Sequence, residues 1–262
     1  MGVGQAMSEA SVPADVAHAD PFDPPSTTIP LSTMRRMVGT RLLESKQSAP
    51  HFYLSIDVEI ERVMALRQRI ASEGGEPPSV NDCIVAAVAR ALREVPALNA
   101  RCEGSRLRLF QHANIGVAVA LQSGLVVPVV RVADQLDLMA LGREIRSLAE
   151  RARTNKLTPD DYRGGTFTVS NLGMFGIREF IAILNPPQAG ILAVGKASPR
   201  AIVRDGAVCA AHVLTATLSA DHRVVDGMVG ARFLQAVQDH IQDPDRLLVA
   251  PAQDCGAPAD RP

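Results

Sequence analysis

The sequence predicts an α+β fold rather than a doubly wound parallel sheet. Three observations carry this. Segments that alternate apolar and polar side chains follow one another in mixed order with segments of helical period. Several strand-like segments are joined by connections short enough for hairpins, the plainest being RAIVRDGAV around Asp205-Gly206. The 262 residues, 47% of them hydrophobic, suffice for one large domain or two small ones.

Residues 1–28, rich in Ala, Pro, Asp and Ser, show no apolar period and read as a disordered arm or linker. Residues 29–249 form the folded domain, and 250–262 a polar tail. The domain opens with a helix in LSTMRRMVGTRLLESKQ, where Leu31, Met34, Val38, Arg41 and Leu42 fall near helical spacing, Ser32 caps and Pro50 terminates the unit. HFYLSIDVEI alternates strictly, with Phe52, Leu54, Ile56, Val58 and Ile60 on one face of a half-buried strand. VMALRQRIASEGG is a helix stopped by Gly74 and Gly75. SVNDCIVAAVARALREVPALN is a helix capped near Ser79, with Val80, Ile84, Ala87, Val88, Ala91 and Leu92 facing the core. RLRLF and NIGVAVAL are strands, followed by a Ser123-Gly124 turn and the apolar run LVVPVVRV. LDLMALGREIRSLAERARTNKL is a long amphipathic helix. GTFTVS, REFIAIL, AGILAVGKA, the RAIVRDGAV hairpin and HVLTATLSA supply strands, and GMVGARFLQAVQDHIQD is the last helix.

Composition narrows the function. Twenty-seven basic side chains nearly cancel twenty-eight acidic ones, which argues against general nucleic-acid binding but leaves room for a local basic patch serving a phosphorylated ligand. No apolar run is long enough to span a bilayer, and the N-terminus lacks the basic and apolar regions of a secretory signal, so the sequence predicts a cytoplasmic protein without a membrane partner. Cys83, Cys102, Cys209 and Cys255 lack C-x-x-C spacing and fit neither a metal site nor a disulfide framework. They read as reduced, mostly buried thiols.

Two segments carry chemistry. In LSADHRVVDGMVG an alternating strand delivers the chain to Asp221-His222, and Gly227 permits a sharp exit into a helix. A histidine at such a corner is ordered and reachable, as a general base must be. The same residues also read as architecture, with His222 packing and Asp226 capping the last helix. In GGTFTVSNLGMFGIREF, Gly164, Gly165, Gly173 and Gly176 flank a short strand and signal close backbone approach or special dihedrals. Ser170 there can donate a hydroxyl hydrogen bond into a cleft, or simply close a turn. The segment is neither a phosphate-binding P-loop nor a G-x-S-x-G elbow.

Taken in order, IPLSTMRRMVGTRLLESKQSAPHFYLSIDV, SVNDCIVAAVARAL, IGVAVALQSGLVVPVV, GGTFTVSNLGMFGI, ILNPPQAGILAVG and LSADHRVVDG resemble the catalytic domain of the dihydrolipoamide acyltransferases, the core component of 2-oxoacid dehydrogenase complexes. The resemblance covers residues 28–248, and Ser170-Asn171-Leu172-Gly173 is most similar to the pyruvate-type, acetyl-transferring branch. It implies a two-layer α+β sandwich of the chloramphenicol acetyltransferase-like type that forms trimers. It also implies transfer of an acetyl group between dihydrolipoamide and coenzyme A, with a pyruvate or acetoin dehydrogenase complex as the setting. In that reading His222 deprotonates the CoA thiol, Ser170 stabilises the oxyanion, and Asp226 braces the His222 loop, paired with Arg41. Asn171 helps position Ser170 or the ligand. An imidazole of ordinary pKa ~6.5 facing a thiol of ~8.5 differs by about two units, within reach of general-base catalysis. The resemblance further implies that His222 and Ser170 come from adjacent subunits of a homotrimer, with assembly into a larger cubic core as a further step.

Two departures qualify the resemblance. The lipoyl and partner-binding domains of full family members do not fit into residues 1–28. The lipoyl group is therefore expected on another domain or chain, alongside the dehydrogenase partners. The polar stretch VAPAQDCGAPADRP follows Leu247-Leu248, where family members make apolar contacts between trimers, so a lone trimer stands beside the larger cubic core as an expectation. A CoA-dependent transferase with another acceptor, and a non-catalytic structural core, are the competing readings.

Overall fold

A computed structural model describes residues 22, 24–121 and 124–251. Most of the predicted arm, Ser123 of the predicted turn, Cys255 and nearly all of the polar tail lie outside the described residues.

Helix α1 spans Thr33–Ser48. Ser32 caps it as predicted, its Oγ accepting the Arg35 amide at 3.2 Å, and the helix ends at Ser48, two residues before Pro50. Strand β1 (His51–Glu59) and helix α2 (Glu61–Ser72) follow, the latter closed by Gly74 at φ +79°. Helix α3 (Val80–Glu94) begins on a reciprocal capping box between Ser79 and Asp82. Its residues 82–92 are all buried, wider than the predicted face, because neighbouring elements enclose it on every side. Next come the short strands β2 (Ala100–Glu103), β3 (Arg106–Leu109), β4 (Ile115–Val117), β5 (Val119–Leu121), β6 (Gly124–Val126) and β7 (Val129–Val130). Helix α4 (Leu138–Arg153), capped by Asp137, leads to strands β8 (Phe167–Asn171), β9 (Gly190–Val194), β10 (Ser198–Arg204) and β11 (Ala207–Asp221). Helix α5 (Gly227–Gln242) is the last long element.

Seven strands form the main sheet in the order β1-β11-β9-β8-β4-β7, with β10 also paired to β11. Only β4–β8 and β8–β9 run parallel, so the mixed α+β prediction holds. One face of the sheet packs on the helical layer. Phe167 and Phe233 meet at 5.3 Å between ring centroids, amid buried Leu98, Ile115, Leu138, Leu192 and Leu214. The β10–β11 hairpin turns through Asp205 and Gly206 at φ 53° and 80°, the left-handed pair of a type I′ turn that Asp-Gly accommodates.

Four expectations need correction. NIGVAVAL is two strands in different sheets: β4 ends where the Ala118 amide makes the last rung to the Val169 carbonyl of β8, and β5 pairs with β6 instead. The helix expected through PALN ends at Glu94, because Pro96 disfavours helical backbone at Val95 and Pro96–Leu98 form a separate 3-10 turn. REFIAIL makes no strand. Its backbone is held by side chains instead: Ser219 Oγ donates to the Ala182 carbonyl at 2.7 Å and Ser45 Oγ to the Leu184 carbonyl at 2.8 Å, while the Leu184 amide donates to His51 Nε2 at 3.2 Å. Among the described cysteines only Cys83 is buried, and burial pushes its thiol up to about 12; Cys102 and Cys209 are partly exposed.

That same segment explains Gly195. A Cβ there would lie 1.8 Å from the Arg178 carbonyl oxygen, a backbone atom that cannot step aside. Gly195→Ala is expected to cost about 2–3 kcal/mol as overpacking, read as a lower denaturant midpoint at unchanged m-value.

The end of the domain folds back on its own subunit. Leu247 is wholly buried in the main core and Leu248 packs against it, so the pair expected to reach another trimer is occupied within the chain. Arg90 holds this end in place. Its buried guanidinium donates to the carbonyls of Asp134 (2.5 Å), Leu136 (2.9 Å) and Val249 (3.2 Å). Burial lowers its pKa, and three carbonyl partners offset that cost. Arg90→Met is expected to destabilise the fold by about 3 kcal/mol, because it orphans buried acceptors. Hydrogen exchange at residues 244–249 would report the loosened end.

Candidate active site

β11 runs to Asp221 at the margin of the sheet, where the chain must turn to enter α5. The turn is pinned from several sides. The His222 amide donates to the Pro50 carbonyl at 2.9 Å, and the Val224 and Val225 amides donate to the Asp221 carbonyl at 2.9 and 3.0 Å. The buried Asp221 carboxylate receives the Arg223 amide at 3.0 Å. It also grips the Arg223 guanidinium with both oxygens, down to 2.6 Å. Those hydrogen bonds hold the Arg223 pKa above its ordinary value. The His222 side chain is left exposed, its ring 4.7 Å from that of Phe52 and without a hydrogen bond to the described residues. Sequence reasoning missed the Asp221–Arg223 clamp, although an Asp two residues before an Arg around a turn is a legible signal.

Asp226 caps α5, its Oδ1 accepting the Val229 amide at 2.8 Å, as the architectural reading held. The pairing with Arg41 is not made within the subunit. Arg41 lies exposed on α1, seven residues before its end, or ~10 Å along the axis. The reason is that α1 stands off its own subunit: Ser45 is its sole buried residue, while Leu31, Met34, Val38 and Leu42 face outward. Gly227 is the first residue of α5 at an ordinary φ, with open space where a Cβ would sit, so the sharp exit does not depend on a glycine. The turn is made by the Asp221 clamp instead.

The second segment behaves as its glycines suggest. Gly164 and Gly176 adopt φ +78° and +79°, and a Cβ on Gly173 would meet the Gly195 carbonyl oxygen at 3.0 Å. Asn171 is structural, its Oδ1 accepting the Gly173 amide at 2.8 Å and its Nδ2 donating to Asn81 Oδ1 at 3.0 Å. Thr168 and Ser170 share one face of β8, and Thr166, just before it, continues the same alternation. Thr166 Oγ1 exchanges hydrogen bonds with the Asn114 backbone and Thr168 Oγ1 donates to Gln188 Oε1, but the half-buried Ser170 hydroxyl has no partner among the described residues.

The ladder fixes how far apart these two groups are. Ser170 pairs with Ala193, and Ala193 with Thr217, five residues before His222. Two interstrand steps of ~4.8 Å and five residues of ~3.3 Å separate Ser170 from His222 by about 19 Å within one subunit.

Among the described residues no cluster of His, Cys, Asp and Glu is placed to hold a metal ion, and no helix is long and apolar enough to cross a membrane. The model of the 2-oxoacid dehydrogenases acyltransferase family, catalytic domain, matches residues 23–249. The chain belongs to that family. Among acyltransferases of this kind, the dihydrolipoyllysine-residue acetyltransferase component of the pyruvate dehydrogenase complex of Rickettsia bellii is 47% identical over 224 residues, covering 84% of this chain and 54% of that protein. The mitochondrial component 3 of the same complex from Arabidopsis thaliana is 47% identical over 228 residues, covering 84% of this chain and 42% of that protein. The chain thus spans about half the length of the curated relatives it matches.

The structure of Azotobacter vinelandii dihydrolipoamide acetyltransferase superposes with a TM-score of 0.80 at 31% identity, covering 88% of this chain and 100% of that one. It was determined with a study of a serine, a histidine and an asparagine in that enzyme's catalytic mechanism. Those residues stand 52 and 4 positions apart, the intervals that separate Ser170, His222 and Asp226. The acyltransferase fold predicted from the sequence is therefore the one observed.

One expected consequence of the clamp can be measured. Asp221→Asn keeps an oxygen for the Arg223 amide but removes the charge that holds the guanidinium. Loosening the His222 turn is expected to lower kcat of acyl transfer about tenfold with KM little changed.

Proposed function

We propose that this chain transfers an acetyl group between a dihydrolipoyl thiol and coenzyme A, at a site built from His222 of one subunit and Ser170 of its neighbour in a homotrimer. The observation that carries the reading is the pairing of two unpartnered side chains with a separation of about 19 Å, since base and oxyanion donor must both lie within ~3 Å of the reacting atoms. No single subunit meets that condition; two adjacent ones can. The outward apolar residues of α1 supply a face for such a neighbour.

His222 takes the proton from the CoA thiol, and the thiolate attacks the acetyl carbonyl carbon. Ser170 donates to the oxygen on which charge collects. The tetrahedral species collapses with departure of the dihydrolipoyl sulfur, to which His222 returns the proton. One thioester replaces another, so the reaction runs in both directions. Asp226 holds α5 in register with the His222 loop, and Asp221 holds the loop itself. The lipoyl arm arrives on another domain or chain, and the dehydrogenase components of a pyruvate-type or acetoin complex supply its acyl group. Trimers are the assembly unit, and a cytoplasmic setting fits the unpaired thiols.

The test is acetyl transfer from acetyl-CoA to free dihydrolipoamide by the folded protein. Steady turnover supports the reading. Absence of transfer with retained CoA binding would move the acceptor elsewhere, and absence of both would leave a scaffold.

A further inference from the structure

The β2–β3 hairpin carries an arrangement that stability alone does not account for. Arg101 and Arg108 are direct cross-strand partners, so two like charges face each other on one surface of a two-stranded ribbon. Both guanidinium groups lie over the same ring, Phe110, at 4.8 and 5.5 Å from its centroid. Arg106 follows on the same face, and Glu103 lies 3.6 Å from Arg108 with both side chains about half exposed. A pair so exposed contributes little. Arg101 Nε is buried without a partner. Directly opposed like charges cost stability unless something anionic sits on them.

The hairpin also stands beside the His222 loop. The Ala189 amide donates to the Ala100 carbonyl, and the Ala189 carbonyl accepts the Asp221 amide, so the root of the hairpin and the start of the catalytic turn share one residue. All four residues of β3 are exposed, including Leu107 and Leu109 on the face opposite the arginines. Exposed leucine with flanking arginine on a projecting ribbon is the composition of a protein contact. A phosphate site would instead draw the arginines into a concave cradle.

We propose that this hairpin is the docking surface for an acidic face of the protein domain that delivers the dihydrolipoyl arm. The proposal rests on the reaction assigned above and adds to it the surface that recognises the carrier. The arginines engage carboxylates on the carrier, and docking one hairpin away from His222 brings the arm to the mouth of the site. Charge pairing of this kind raises the association rate and weakens with salt.

The test compares two acceptors, free dihydrolipoamide and a dihydrolipoylated lipoyl domain of net negative charge, with wild type and the double variant Arg106→Glu/Arg108→Glu. The milder Arg106→Gln/Arg108→Gln guards against misfolding. With the domain as acceptor, kcat/KM is expected to fall tenfold or more and to lose its salt dependence. With free dihydrolipoamide, kcat/KM and the KM for CoA are expected to stay within twofold of wild type. An unchanged rate with the domain, an equal loss with both acceptors, or a raised KM for CoA would each overturn the proposal, the last because the arginines would then be reading CoA phosphates. If wild type transfers to neither acceptor, the assigned reaction fails, and titration calorimetry with the same lipoyl domain decides the docking surface. Binding weakened by the double variant supports it; equal or absent binding overturns it.

Discussion

Replacing His222 with alanine is expected to lower acetyl transfer between acetyl-CoA and dihydrolipoamide by about 10³-fold, almost entirely in kcat, the loss typical of a general base. The fold should survive, because the loop is held by the His222 amide, the Asp221 carbonyl and the Asp221–Arg223 clamp, none of which uses the imidazole. No neighbouring group can take over. His51 is close in the ladder, pairing with Asp221, but its ring is committed. The Leu184 amide can only donate, so His51 Nε2 accepts, and Nδ1 carries the hydrogen given to the Ala49 carbonyl at 2.8 Å. A residual rate near that of the wild type would remove His222 from the mechanism.

The second large effect is expected at Ser170. Ser170→Ala deletes one hydroxyl that no described residue uses, so thermal stability should change by less than about 0.5 kcal/mol. The rate should nevertheless fall about 10²–10³-fold, roughly 3 kcal/mol, as a well-placed oxyanion donor is lost. Thr168→Ala is the contrast. Its hydroxyl donates to Gln188 and receives Asn185, so its loss should register in stability before activity. Equal rates for Ser170→Ala and wild type would assign the serine to the sheet alone.

Much of this was legible in the residues because local chemistry decided it. Ser32, Ser79 and Asp226 cap the helices that follow them, and Asp205-Gly206 makes the turn its dihedrals require. The glycines around Ser170 mark close approaches that the backbone makes. The failures share another cause. Apolar alternation in REFIAIL looks like a strand, but the bonds that fix it come from Ser45, His51 and Ser219, far away in sequence. The resemblance pairs Arg41 with Asp226, but a motif matched in the sequence says nothing of where α1 points. The near-helical spacing of Leu31, Met34, Val38 and Leu42 predicts a helix but not its partner, and in the subunit those residues are exposed. The Asp221–Arg223 clamp escaped because charges two residues apart in a sequence more often face solvent than each other.

The central claim is that a catalytic site needs two copies of this chain, and subunit mixing tests it most directly. His222→Ala and Ser170→Ala proteins, each inactive alone, would be unfolded together in equal amounts and refolded. Random association joins an intact His222 to a neighbour's intact Ser170 at one interface in four, so the mixture should recover about a quarter of wild-type activity. Recovery at that level, absent when the folded proteins are simply combined and assayed before exchange, is the expected result. A refolded mixture as inactive as its parents would place both residues' roles within one subunit, against the separation of about 19 Å that the ladder imposes.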